Sequence, residues 1–84
     1  MVYVYVLYSR KDKNFYIGMT KDLRLRFEQH NDGYVISTKN RRPIVLVYYE
    51  ACLDKRDAAH REKYLKTSYG KRFIISRLKS YFMG

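Results

Sequence analysis

The chain has 84 residues, room for one small domain spanning residues 1–84 with a modest core. Its formal net charge of +10, from 18 Lys+Arg against 8 Asp+Glu, makes a polyanion the natural partner, nucleic acid ahead of an anionic membrane surface. A single cysteine, Cys52, excludes an intrachain disulfide and a cysteine-based zinc site; no stretch is long and apolar enough to span a bilayer, no signal peptide is recognisable, and a cytoplasmic location is expected.

Residues 2–8, VYVYVLY, are β-branched and aromatic throughout and read as a strand. A polar turn, residues 10–14, leads to a second, shorter strand over 15–18, so the pair predicts an antiparallel hairpin. Both faces of the first strand are apolar, which predicts a sheet covered on both sides. Thr20 and Asp22 are candidate caps for a helix reaching about His30, and the segment 33–42, GYVISTKNRR, reads as a loop with a basic end. After Pro43 a third strand, IVLVYYE, is predicted. Asp54 caps a second helix that continues to about Thr67, Gly70 breaks it, and residues 71–82 form a third helix. The expected fold is α+β, a small three-stranded antiparallel sheet flanked by helices in the order ββαβαα.

Several residues fit a plain core poorly. There are ten tyrosines and no tryptophan, and a tyrosine brings a hydroxyl along with its packing face. Tyr3, Tyr5 and Leu7 share one face of the first strand; Tyr16 and Gly18 share one face of the second, where the glycine clears space for a ligand or another backbone. On the first helix, Arg26 and His30 are four residues apart and border the apolar stripe of Leu23 and Phe27. This spacing fits a snorkelling arginine with a surface histidine as well as a functional pair. On the second helix, Glu62 sits amid Ala58, Ala59, Leu65 and Tyr69, where a carboxylate is costly unless paired or bound to a cation. A salt bridge to Arg26 and a metal-binding or catalytic role both answer that cost. Together two tyrosines, an arginine, a histidine and a glutamate suit phosphodiester hydrolysis: arginine to stabilise charge on phosphate, glutamate to hold a cation, tyrosine or histidine to orient or deprotonate water.

In these residues the chain resembles the GIY-YIG nuclease family, in particular its small stand-alone bacterial members. Tyr16-Ile17-Gly18 is the second half of that family's motif; Tyr3-Val4-Tyr5 stands in the first half, with the glycine replaced and Tyr5 kept. Arg26 lies eight residues after Gly18, His30 four further on, and Glu62 in the long helix after the third strand, as in the family. Met19 stands where some members carry a lysine, and no asparagine after Glu62 matches one that several members have. The resemblance implies a metal-dependent DNA endonuclease, with a place in repair or recombination, that leaves a 5′-phosphate and a 3′-hydroxyl. It implies that Tyr16 positions or deprotonates the attacking water with His30 assisting, that Tyr5 bonds the phosphate or the water, that Arg26 binds the scissile phosphate, and that Glu62 holds Mg²⁺ or Mn²⁺. Lys39, Arg41, Arg42, Lys66, Lys71 and Arg72 are candidates for contacts to the nucleic-acid backbone. The alternative is a nucleic-acid-binding module with little or no turnover.

Overall fold

The computed structural model describes residues 1–84. Its strands are β1 (Val2–Ser9), β2 (Phe15–Thr20) and β3 (Ile44–Cys52); its helices are α1 (Leu23–Asn31), α2 (Ile36–Lys39), α3 (Lys55–Leu65), α4 (Ser68–Arg77) and α5 (Lys79–Met83). The sheet order is β2-β1-β3, antiparallel on both sides. The α+β fold expected from the sequence is the one observed.

The central position of β1 explains why its sequence is apolar on both faces. Val2, Val4 and Val6 point to one side, where Ile17, Ala58, Leu65 and Ile74 close the larger core beneath α3 and α4. Tyr5 and Leu7 point to the other and pack with Ile44, Tyr16, Leu23, Phe27 and Leu46, so α1 covers that face. In β3 a register shift makes Leu7 face Leu46 while Val6 faces Tyr48. Val47 is thus an extra residue, and the bulge turns both Val47 and Tyr48 toward the larger core.

Each of the three longer helices starts on a side-chain cap. Asp22 accepts from the Leu25 amide, Asp54 from the Arg56 amide and Thr67 from the Gly70 amide. The last cap revises the sequence reading of the carboxy-terminal segment. Gly70 does not separate two helices; it lies in the first turn of α4, buried, where a Cβ would collide with the backbone of Tyr64 and Leu65. The glycine therefore permits the tight turn from α3 into α4. The helix expected over 71–82 is interrupted at Leu78, whose φ/ψ of −107/27° leaves the helical region, and α5 carries Phe82 back onto Tyr8 and Phe15. The segment 33–42 is also more ordered than a loop, since it contains α2.

Two polar ties fix the elements around the sheet. Arg61 of α3 grips the Glu50 carboxylate of β3 at 2.9 Å, Tyr48 donates to the same carboxylate at 2.9 Å, and the Arg61 guanidinium lies 4.7 Å from the Phe73 ring centroid. Arg41 forms a two-pronged pair with Asp12 and also donates to the Phe15 carbonyl, clipping the segment after α2 to the hairpin turn.

Gly18 shows why the motif strand needs a glycine. The strand does not end there but runs on to Thr20. Gly18 lies opposite Tyr5 in the register, and a Cβ on it would collide with the Tyr5 ring and hydroxyl. The space it clears is filled by a tyrosine of the same chain. Gly18 has no positive φ, so alanine suffers from crowding and not from backbone strain. We expect Gly18→Ala to destabilise by about 1–3 kcal/mol, as overpacking typically does, with the cost shrinking in a Tyr5→Leu background. Thermal melts of both single variants and the double variant check this; an undiminished cost without the tyrosine ring would refute the steric account.

Candidate active site

The site is built around the Tyr5 side chain, which β1 sends into the space between the sheet and α1 with 2% of its surface exposed. A buried phenol needs a hydrogen-bond partner. His30 supplies it: the Tyr5 hydroxyl lies 2.9 Å from Nε2. The other ring nitrogen, Nδ1, lies 2.7 Å from the Thr38 hydroxyl of α2. His30 is fully buried, in the last turn of α1, and both nitrogens are engaged. It is not the surface histidine that helical spacing alone would allow.

The other sequence candidates gather at the same point. The Tyr16 ring packs edge-on against the His30 imidazole with centroids 5.1 Å apart, and its hydroxyl accepts from Ser37 at 3.3 Å. Arg26, one turn before His30, donates to Gln29 at 3.1 Å, and its charge acts on the Tyr5 phenol. Glu62 acts on the same hydroxyl through space from α3. Its side chain is 24% exposed and pairs with Lys66, a turn further on, at 3.6 Å. The salt bridge to Arg26 that would have explained Glu62 structurally is not formed. Nor is Glu62 centred on a buried stripe: Ala58 and Leu65 are buried, whereas Ala59 and Tyr69 face solvent.

The electrostatics follow from this packing. Burial raises the Tyr5 phenol above its ordinary value; Arg26 opposes the shift, while Tyr16 and Glu62 reinforce it. Burial, with help from the Arg26 charge, lowers the His30 imidazole to about 4. Near neutral pH the site therefore holds a protonated phenol and a neutral imidazole beside one fixed cation and one carboxylate.

The basic residues divide by what they do inside the fold. Arg41 is held by Asp12 and the Phe15 carbonyl. Arg42 donates to the carbonyls of Lys39 and Asn31, where Gly33, at φ +84°, makes room for its guanidinium. Both arginines thus have structural partners. Lys39, Lys66, Lys71 and Arg72 are exposed. Lys66 pairs with Glu62, and Lys39 follows Thr38 in the chain. Lys71 reaches Asn14 at 3.5 Å, and Arg72 stacks 4.8 Å from the Tyr69 centroid.

Sequence reasoning missed Thr38 and Ser37. They lie in a segment that reads as a loop, and a short Ser-Thr pair in a polar stretch carries no periodic signal.

The chain is similar to known proteins in both sequence and fold. The family model of the GIY-YIG catalytic domain matches residues 1–82. The UPF0213 protein CPE1444 of Clostridium perfringens is 43% identical over 67 residues, covering 79% of this chain and 71% of that protein. The UPF0213 protein SH2523 of Staphylococcus haemolyticus is 42% identical over 66 residues, covering 77% of this chain and 79% of that one. The solution structure of the UPF0213 protein BH0048 from Bacillus halodurans superposes with a TM-score of 0.56 at 32% identity, covering 90% of this chain and 84% of that one.

The depressed His30 value has a consequence for stability. In the folded state His30 stays neutral down to about pH 4, whereas the unfolded chain protonates it near its ordinary 6.5. Below that ordinary value the unfolded state binds the extra proton, so stability falls as pH falls, by up to about 1.4 kcal/mol per unit, and levels off below the folded value. Asp12, lowered to about 2 by its Arg41 partner, gives up its contribution only at lower pH, from its ordinary 3.8 downward. Urea titrations between pH 7 and 4.5 are expected to show the loss in the native chain and a flatter profile in His30→Gln. Equal slopes would mean that His30 is not the group responsible.

Proposed function

This chain belongs to the GIY-YIG catalytic domain family, and from that membership we propose that it is a divalent-metal-dependent endonuclease that hydrolyses DNA phosphodiester bonds. The observation that carries the proposal is the setting of the Tyr5 hydroxyl: His30 holds it at 2.9 Å, the Tyr16 ring packs on the same imidazole, and the charges of Arg26 and Glu62 both act on the phenol. Four separate elements deliver these side chains, so the cluster is not a by-product of one amphipathic face. The +10 charge supplies attraction for the polyanion.

Each side chain then has a task. Arg26 binds the scissile phosphate and stabilises the charge that develops on it, its planar fork matching two phosphate oxygens. Tyr16, the less buried of the two tyrosines, positions the attacking water or takes its proton. Tyr5 bonds the same reacting group from beneath. His30 has no nitrogen open to water, so its assistance runs through Tyr5 and through its contact with the Tyr16 ring. Glu62 holds the cation, Mg²⁺ or Mn²⁺. No group of three or more His, Cys, Asp and Glu side chains stands ready to cage a metal. A single, partly exposed carboxylate nonetheless fits Mg²⁺, which commonly takes one or two carboxylates and completes its sphere with waters and substrate phosphate. When bound, such a cation supplies Lewis-acid stabilisation of phosphate and leaving oxygens. Lys39, Lys66, Lys71 and Arg72 contact the backbone on either side, with Arg41 and Arg42 shaping the surface between. No helix is long and apolar enough to cross a membrane; we place the protein in the cytoplasm, acting in DNA repair or recombination.

A nicking assay on duplex, flapped and branched DNA, with and without Mg²⁺ or Mn²⁺, tests this reading. The native chain is expected to nick at least one substrate only when the cation is added. Glu62→Gln should abolish nicking yet retain metal-free binding and shift stability by less than about 1 kcal/mol, because its partner Lys66 is a surface pair. Arg26→Ala should lose about 10² or more in cleavage with a smaller loss in binding, and Arg26→Lys should restore little. DNA binding by the native chain without nicking under any condition would favour a binding module over an enzyme.

A further inference from the structure

Tyr5 and His30 can share their hydrogen bond in two ways, with opposite meanings for the site. Either the phenol donates to a bare Nε2, or a protonated Nε2 donates to the phenol oxygen. A neutral imidazole has one N–H, so the choice is made at the other nitrogen. There the partner of Nδ1 is the Thr38 hydroxyl, 2.7 Å away. Thr38 is fully buried, and its hydroxyl can donate back to the Val35 carbonyl at 3.5 Å, three residues before it in the same turn.

We propose that Thr38 is a positioning residue of the active site: with its proton directed to the Val35 carbonyl, its oxygen accepts from Nδ1–H of His30, which leaves Nε2 bare and draws the Tyr5 proton inward. Every hydrogen in this arrangement has an acceptor: Tyr5 to His30, His30 to Thr38, Thr38 to Val35. In the opposite arrangement the Tyr5 proton points away from His30, and the structure gives it no other acceptor, since the neighbouring Arg26 guanidinium can only donate. A buried donor left without one is costly. The consequence reaches the chemistry. A phenol whose proton is turned inward shows lone pairs to the site, so Tyr5 accepts, from Arg26 or from water, and does not donate to a phosphate oxygen. The short helix α2, of no evident use in closing the core, thus has a purpose. Ser37 on the same turn donates to Tyr16, so one four-residue helix touches both tyrosines of the site, one directly and one through His30.

This inference rests on the nuclease reading for its effect on turnover but not for the tautomer itself, and the test separates the two. Nitrogen-15 NMR of the His30 ring reads the tautomer; nicking with Mg²⁺ or Mn²⁺ reads turnover. In the native chain the proton is expected on Nδ1. Thr38→Val, nearly isosteric but without the hydroxyl, should move it to Nε2 and lower kcat by tenfold or more with a smaller change in KM. Thr38→Ser keeps the hydroxyl and should restore both tautomer and rate. A native proton on Nε2, or Thr38→Val that leaves the tautomer unchanged, overturns the assignment, and the native measurement decides even if the valine variant folds poorly. A switched tautomer with unaltered kcat in an active enzyme overturns the positioning role. Absence of nicking by the native chain counts against the nuclease reading alone, since the tautomers of the native and serine chains still decide what Thr38 does.

Discussion

The hydrogen bond between the phenol of Tyr5 and the imidazole of His30 is the contact on which the rest of this structure turns. A tyrosine in the middle strand of a three-stranded sheet can be fully covered only if its hydroxyl is satisfied inside. That requirement propagates outward. The neighbouring strand must give up a side chain at Gly18 to admit the ring. Helix α1 must cross the sheet so that its last turn delivers His30. The imidazole, buried in its turn, needs a partner on its far side, and α2 brings Thr38. Three features that look unrelated along the chain thus answer one unsatisfied polar group.

The same burial sets the electrical character of the site. Tyr5 is raised and His30 lowered because both are removed from water. Arg26 and Glu62 sit nearer solvent and stay available to ligands. A neutral hydrogen-bonded floor beside two partly buried, opposite charges suits the phosphoryl chemistry proposed above, in which charge develops on the substrate and the protein must meet it without rearranging. Rigidity comes from ties outside the site. Arg61, next to Glu62 in the chain, is locked on Glu50 and packed over Phe73, which fixes the face that Glu62 presents. Arg41 and Arg42 hold the segment carrying α2 against the hairpin turn and the end of α1.

The basic surface has two roles that net charge alone conflates. Some of the positive charge is structural, and Arg41 is the clearest case. The lysines flanking the site have mostly weak or solvent-exposed partners, which leaves them available to a polyanion. In an 84-residue domain few residues can serve only one purpose.

The sequence by itself determined the fold class and named the candidate residues of the site. Alternating and two-sided apolar runs specify strands and their covering, because side-chain direction has period two in a strand. Asp22 and Asp54 mark helix starts because an unsatisfied amide needs a local acceptor. The spacing from Gly18 to Arg26 and His30 is likewise local, within one strand–helix unit. Tertiary structure alone decided what depends on residues distant in the chain. It set Gly18 against Tyr5, showed that Glu62 pairs with Lys66 and not Arg26, gave Arg41 to Asp12, and brought Thr38 to the back of His30. It also moved Gly70 from a helix break to a helix's first turn, because Thr67 caps α4 and the glycine is needed for close approach to α3. Periodicity reports which face of an element is buried; it carries no record of which partner waits there, and the chemistry of a buried hydroxyl or imidazole is fixed by that partner.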